Sequence, residues 1–106
     1  MSGNPWVDLG PVEEFAGRMP RAVHIGDRLV AVFRTGGRWR CIDNACPHAG
    51  APLRDGHVED GHVVCFLHCW RFDLETGACD VGEAWSVATH GIREREGRLE
   101  VRKPCR

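Results

Sequence analysis

Cys46-Pro47-His48-Ala49-Gly50-Ala51-Pro52-Leu53 and Cys65-Phe66-Leu67-His68 are the stretches around which the chain is organised. Each offers one thiolate and one imidazole, and sixteen residues separate His48 from Cys65. Soft and borderline ligands in two paired clusters, flanked by turn residues, are the sequence sign of a metal site. The candidate ligands are therefore Cys46, His48, Cys65 and His68. Two prolines, one glycine and three alanines between Asn44 and Leu53 fit a tight, irregular loop.

Working outward, Asp60-Gly61 between apolar residues predicts a hairpin over residues 56–66. That hairpin carries the chain from the first candidate loop back to the second. Trp70-Arg71-Phe72-Asp73-Leu74 alternates large apolar with charged residues, as a half-buried strand does. Glu75-Thr76-Gly77 turns the chain, and Ala78 to Val81 is expected to return it as a strand. Upstream, Trp6-Val7-Asp8-Leu9 reads as a first strand and Val12 to Phe15 as one helical turn behind Pro11. Pro20 to Ile25 and Leu29 to Arg34 form a hairpin across Gly26-Asp27, and Gly36-Gly37 leads into Arg38 to Ile42. Trp39, Cys41 and Ile42 are expected in the core. Val87 to Arg95 and Arg98 to Arg102 form a last hairpin, with Leu99 and Val101 on the dry face of an outer strand. Many short strands with frequent turn signals predict an all-β sandwich or barrel.

The two loops resemble those of Rieske [2Fe–2S] proteins. The likeness extends through His68-Cys69-Trp70-Arg71-Phe72-Asp73 to Thr76-Gly77. The tail from Ser86 to Val101 is similar to the closing hairpin of small Rieske ferredoxins and of nitrite reductase small subunits. The resemblance implies one domain over residues 1–106, a β base with a smaller cluster-binding subdomain inserted near residues 44–80, and one [2Fe–2S] cluster. In that family two Cys hold one iron and two His the other. Cys46 and Cys65 would thus hold the inner iron, and His48 and His68 the outer one. Small side chains in the first loop would let backbone N–H groups approach the cluster sulfides.

Two departures from the high-potential members stand out. Ala51 and Leu67 occupy the positions of their loop disulfide, and the chain has no Tyr. Fewer hydrogen bonds to sulfur imply the low end of the Rieske range, near about −150 mV. Against the commoner Cys-Pro-x-His-Gly form of the second loop, Phe66 replaces Pro and Cys69 replaces Gly.

Composition narrows the function. A chain of 106 residues with net charge −1 has no basic stripe for nucleic acid. It shows no apolar run long enough to span a membrane and no basic-then-apolar leader, so a cytoplasmic location is expected. Cys41, Cys69, Cys79 and Cys105 remain after the ligands are assigned. Unpaired thiols beside a metal site fit a reducing compartment, and Cys41 reads as an inert core thiol. A framework of three disulfides would leave His48 and His68 unexplained. His24, His57, His62 and His90 lack paired ligand neighbours and read as surface or hydrogen-bonded histidines, while Trp70 and Phe72 read as packing.

No dinucleotide loop or nucleophile elbow accompanies the site. The expected function is one-electron transfer by a Rieske-type ferredoxin, from a flavin-containing reductase to a terminal oxygenase. The alternatives are the small subunit of an NAD(P)H-dependent nitrite reductase, bound to its large subunit, and a structural Cys2His2 zinc module.

Overall fold

Val30-Ala31-Val32-Phe33 is apolar without alternation because its strand is buried on both faces. The computed structural model describes residues 5–15, 20–47, 50–67 and 69–102. His48, His68 and Cys105, all singled out above, lie outside the described residues. The strands are β1 (Trp6–Pro11), β2 (Arg21–Ile25), β3 (Arg28–Thr35), β4 (Arg38–Asp43), β5 (His57–Glu59), β6 (His62–Val64), β7 (Arg71–Asp73), β8 (Ile92–Arg95) and β9 (Arg98–Arg102). They form three antiparallel, three-stranded sheets, ordered β1-β9-β8, β2-β3-β4 and β5-β6-β7.

The β2-β3-β4 sheet is the shared middle layer. Val30 and Val32 of β3 and Cys41 of β4 point to one face, where they pack with Leu99 and Val101 of β9 and with Phe15. Ala31, Phe33 and Ile42 point to the other face, where they pack with Leu53, Val63, Phe72 and Leu74 around the candidate loops. Alternate residues of one strand thus serve two cores, as the two-residue period of a strand requires. Cys41 and Ile42 are buried, but they belong to different cores, while Trp39 is only partly buried.

Three expectations are corrected. β9 is the central strand of its sheet, not an outer one: β1, from the start of the chain, pairs along its free side. Its wet face is real, with Leu99 and Val101 buried and Glu100 half-buried. Residues 87–91 are not part of the last hairpin. They run beside β4 instead, through Asp43 N–H to Ala88 O (3.0 Å), His90 N–H to Cys41 O (2.8 Å) and a Thr89–Ile42 bridge. Ala78 to Val81 returns only as a single bridge, Cys79 to Phe72, before a short 3₁₀ turn, Glu83–Trp85.

The Asp60-Gly61 turn is as the sequence predicts: both residues have positive φ, 51° and 74°, and β5 pairs with β6 across it. Arg71 ties β7 to β5 by a 2.6 Å contact to Glu59, whose carboxyl it holds below the usual range. At the β7 turn, Asp73 Oδ1 accepts N–H bonds from Glu75 (2.7 Å) and Thr76 (3.0 Å). Partial burial pushes the Asp73 carboxyl up, yet those bonds outweigh it and hold the group low.

Asp8 and Arg98 join β1 to β9 through two 2.8 Å hydrogen bonds, and these hold the Asp8 carboxyl below the usual range. On acidification the unfolded chain takes up this proton before the folded one does. The pair therefore stabilises the fold at neutral pH, and that contribution disappears as pH falls through the lowered value. Asp8→Asn is expected to lower the denaturation midpoint at pH 7, with the difference from wild type vanishing in strong acid and shrinking in high salt.

Gly77 has φ of +80°, and a Cβ there would collide with the Val87 carbonyl oxygen. Gly36 also has positive φ, +59°, but faces open space. Gly77→Ala should cost about 3 kcal/mol, against about 1 kcal/mol for Gly36→Ala, in urea titrations followed by circular dichroism. Equal costs would show that residues 77 and 87 do not pack as described.

Candidate metal centre

The two candidate loops share one hydrogen-bond frame. Cys46 N–H donates to Ala51 O (2.9 Å), and Cys46 O accepts from Gly50 N–H (2.6 Å). Cys65 N–H donates to Trp70 O (2.8 Å), and Cys65 O accepts from Cys69 N–H (2.9 Å). In each loop the cysteine bonds to the residues four and five positions on, and the residue four on has positive φ: 73° at Gly50 and 62° at Cys69. The predicted histidines lie, by sequence, inside these frames at positions two and three after the cysteine.

The frames turn the sulfurs inward. Cys46 and Cys65 are each 1% exposed and belong to the same buried cluster, with Leu53, Val63, Phe72 and Leu74. The intervening tips face outward: Pro47 and Gly50 are exposed, and Phe66 and Leu67 are 54% and 50% exposed. From Asn44 to Leu53 and from Val64 to Trp70 no residue is an Asp, Glu, Lys or Arg. Two buried thiols from separate loops, closing on one apolar core, are a donor set suited to a soft metal group.

A Rieske [2Fe-2S] domain model matches residues 5–90. The chain belongs to the Rieske [2Fe–2S] family. It is 37% identical over 97 residues to the anthranilate 1,2-dioxygenase ferredoxin subunit of Burkholderia cepacia, covering 91% of this chain and 90% of that protein. Among solved structures it resembles the ferredoxin of carbazole 1,9a-dioxygenase from Nocardioides aromaticivorans IC177, with a TM-score of 0.82 and 27% identity over 95% of this chain and 100% of the other. It also resembles a protein described as an NADH-dependent nitrite reductase small subunit from Mycobacterium tuberculosis, with a TM-score of 0.84 and 25% identity over 95% and 96% of the two chains. Against several longer oxygenases that it also matches, it spans only 17% to 25% of their length. The cofactor of this Rieske domain is a [2Fe–2S] cluster, which displaces the zinc reading, and the protein is an electron carrier rather than a catalytic subunit.

The remaining cysteines separate by position. Cys41, Cys69 and Cys79 are free thiols, which excludes a framework of three disulfides among the six cysteines. Cys41 lies in the core on the opposite face of the middle sheet, and burial, aided by the nearby Asp43 carboxylate, pushes its thiol up to about 12. Cys79 is buried at its bridge to Phe72. Phe72 is fully buried, whereas Trp70 is partly buried and meets Trp85 edge-on at 5.4 Å.

The non-ligand histidines behave as their sequence context implies. His57 Nε2 lies 3.2 Å from Glu59, and His62 Nδ1 lies 2.9 Å from Asp60 O. His24 is exposed. His90 is the least accessible, its side chain 5% exposed and its Nε2 2.8 Å from Asp43 Oδ1. Arg28 Nη1 reaches both oxygens of the same Asp43 carboxylate at 3.1 Å, so that the end of β4 is braced just before the first loop. Sequence reasoning missed this brace, since it joins residues 15 and 47 positions apart. Among the described residues no group of three or more His, Cys, Asp or Glu is placed to hold a metal. No helix among the described residues is long and apolar enough to cross a membrane.

Cys69 occupies a backbone conformation that L side chains adopt at a cost of about 1–2 kcal/mol. Cys69→Gly should relieve that strain and raise stability by about 0.5–1 kcal/mol, after allowing for glycine's greater chain entropy. A thermal melt in which the variant unfolds no higher than wild type would contradict the shared loop frame.

Proposed function

We propose that Cys46, His48, Cys65 and His68 hold the [2Fe–2S] cluster, and that the protein carries single electrons from a flavin-containing reductase to a terminal oxygenase. The observation that carries this reading is the matched pair of loop frames, which directs two cysteines into one core and leaves both tips outward. A cluster with two thiolates and two imidazoles accepts and returns one electron at a higher potential than an all-thiolate cluster, because neutral ligands replace negative ones. The chain's own part is to shield the sulfurs from water and to present a small, charge-free tip to a partner. Imidazoles at positions 48 and 68 would give that tip its electron exit. Complexes made through it would be small and short-lived, as turnover requires.

The reductase–oxygenase assignment follows the dioxygenase ferredoxin subunit, to which this chain is alike over nearly the full length of both. The nitrite reductase reading is kept alive by the likeness to the Mycobacterium tuberculosis structure. A reducing cytoplasm fits the free thiols of Cys41, Cys69 and Cys79.

Anaerobically purified protein should contain iron and acid-labile sulfide in equal amounts and give a Rieske-type electron resonance signal when reduced. Cys65→Ser should remove both. The midpoint potential should lie near about −150 mV, because Ala51 and Leu67 cannot form a loop disulfide and no Tyr is available to the sulfurs. A value well above about 0 mV would refute that part of the reading. Reconstitution decides the partner: turnover of a ring-hydroxylating oxygenase with a flavin reductase supports the ferredoxin role, and stable association with a sirohaem subunit supports the other.

A further inference from the structure

Asn44 is a buried polar residue, with 5% of its surface exposed. It stands two residues before Cys46, where β4 has just ended. Its backbone N–H donates to Leu29 O at 3.1 Å, and its carbonyl accepts from Leu53 N–H at 2.6 Å. Its side-chain Oδ1 accepts from Arg54 N–H at 3.1 Å. The entry and the exit of the first loop therefore meet at one residue.

The side-chain bond solves a specific problem at the exit. Leu53–Asp55 is a single 3₁₀ turn preceded by Pro52, which makes no side-chain cap. Within that turn the Asp55 and Gly56 N–H groups find the carbonyls of Pro52 and Leu53, at 3.1 Å and 2.9 Å. Arg54 N–H, in the first part of the turn, is served by Asn44 from across the loop. An aliphatic residue at position 44 would leave that partly buried N–H without this acceptor, and retaining a polar group here carries its own desolvation cost. Neighbouring Asp43 is braced by Arg28 and His90, so the entry strand is already fixed from its other side.

We propose that Asn44 is a positioning residue for Cys46. Its amide oxygen caps the exit turn of the first loop and locks that exit to the entry, which sets how the Cys46 sulfur meets the cluster. The inference rests on Cys46 being a cluster ligand. It goes further in assigning the geometry of that ligand to a side chain that touches no metal.

The test uses the loaded, full-length protein as wild type, Asn44→Ala, Asn44→Asp and Val101→Ala. Val101 lies in the other core, so Val101→Ala weakens the fold without touching the loop. Two quantities are read: the electron resonance g values of the reduced protein, and the rate at which visible absorbance is lost in excess EDTA. Asn44→Ala should lose its colour about tenfold faster than wild type, with shifted or split g values. Asn44→Asp keeps an acceptor oxygen at the same place and should restore wild-type g values and most of the retention. Val101→Ala should keep wild-type g values even where its urea midpoint falls. If Asn44→Ala does not fold, Asn44→Gln, whose oxygen sits one methylene further out, replaces it with the same expected outcome. Wild-type g values in the Ala or Gln variant, loss no faster than in Val101→Ala, or failure of Asn44→Asp to rescue would each overturn the proposal. Wild-type protein that lacks iron and labile sulfide would instead overturn the ligand assignment itself.

Discussion

A sheet buried on both faces is the constraint on which the rest of the structure depends. The β2-β3-β4 layer must supply apolar side chains to two cores at once, and β3 does so with four consecutive apolar residues, Val30 to Phe33. One face closes the base against β9, and the other is the floor on which the candidate loops rest. Each fully buried Val, Ile or Phe contributes about 1.5–3 kcal/mol of burial. The floor is therefore held by several such residues rather than by the loops themselves. This matters for an electron carrier, because a candidate loop rich in Pro, Gly and Ala has little apolar surface with which to stabilise its own conformation.

The loops make up the deficit with backbone hydrogen bonds. Both use the cysteine as the pivot: its N–H reaches five residues on, and its carbonyl takes an N–H from four residues on. This repetition explains why a left-handed residue occurs at the same place in each loop, as glycine in one and as Cys69 in the other. The strain at Cys69 is then a local consequence of closing a loop around a buried sulfur. It does not call for a ligand role for the Cys69 thiol.

Much of this was legible in the sequence, for identifiable reasons. Short-range signals were reliable. Asp60-Gly61 and Gly36-Gly37 fixed two hairpins because positive φ at both central residues is demanded by the turn itself. The Cys and His spacing and the stretch through Gly77 announced the family, because ligand spacing is a local property. What the sequence concealed was long-range. Pairing of β1 with β9 makes a central strand out of one that reads as an edge, since alternation of wet and dry residues reports which face is exposed but not how many neighbours a strand has. Residues 87–91 read as part of the last hairpin, yet they lie along β4, through scattered bonds rather than a ladder. The Asp43 brace and the Asn44 cap were invisible for the same reason. A lone Asp or Asn before a metal motif carries no signal until its partners at Arg28, His90 and Arg54 are brought alongside.

The distribution of charge between the two halves follows from what each must do. The base carries ion pairs such as Asp8–Arg98 and Arg93–Glu100 on its exposed strands, which favour solubility and add little stability. The loops carry none from Asn44 to Leu53 or from Val64 to Trp70. With the cluster held as proposed, a fixed charge beside it would shift its potential and would have to be desolvated by any partner docking there, whereas Phe66 and Leu67 would lose only unfavourable hydration when covered. Exposing two large apolar side chains costs solubility, and the small area of the tip limits that cost. Asn44 marks the boundary between the two regimes: its polarity is spent on backbone groups below the loop, so the surface above it can remain neutral.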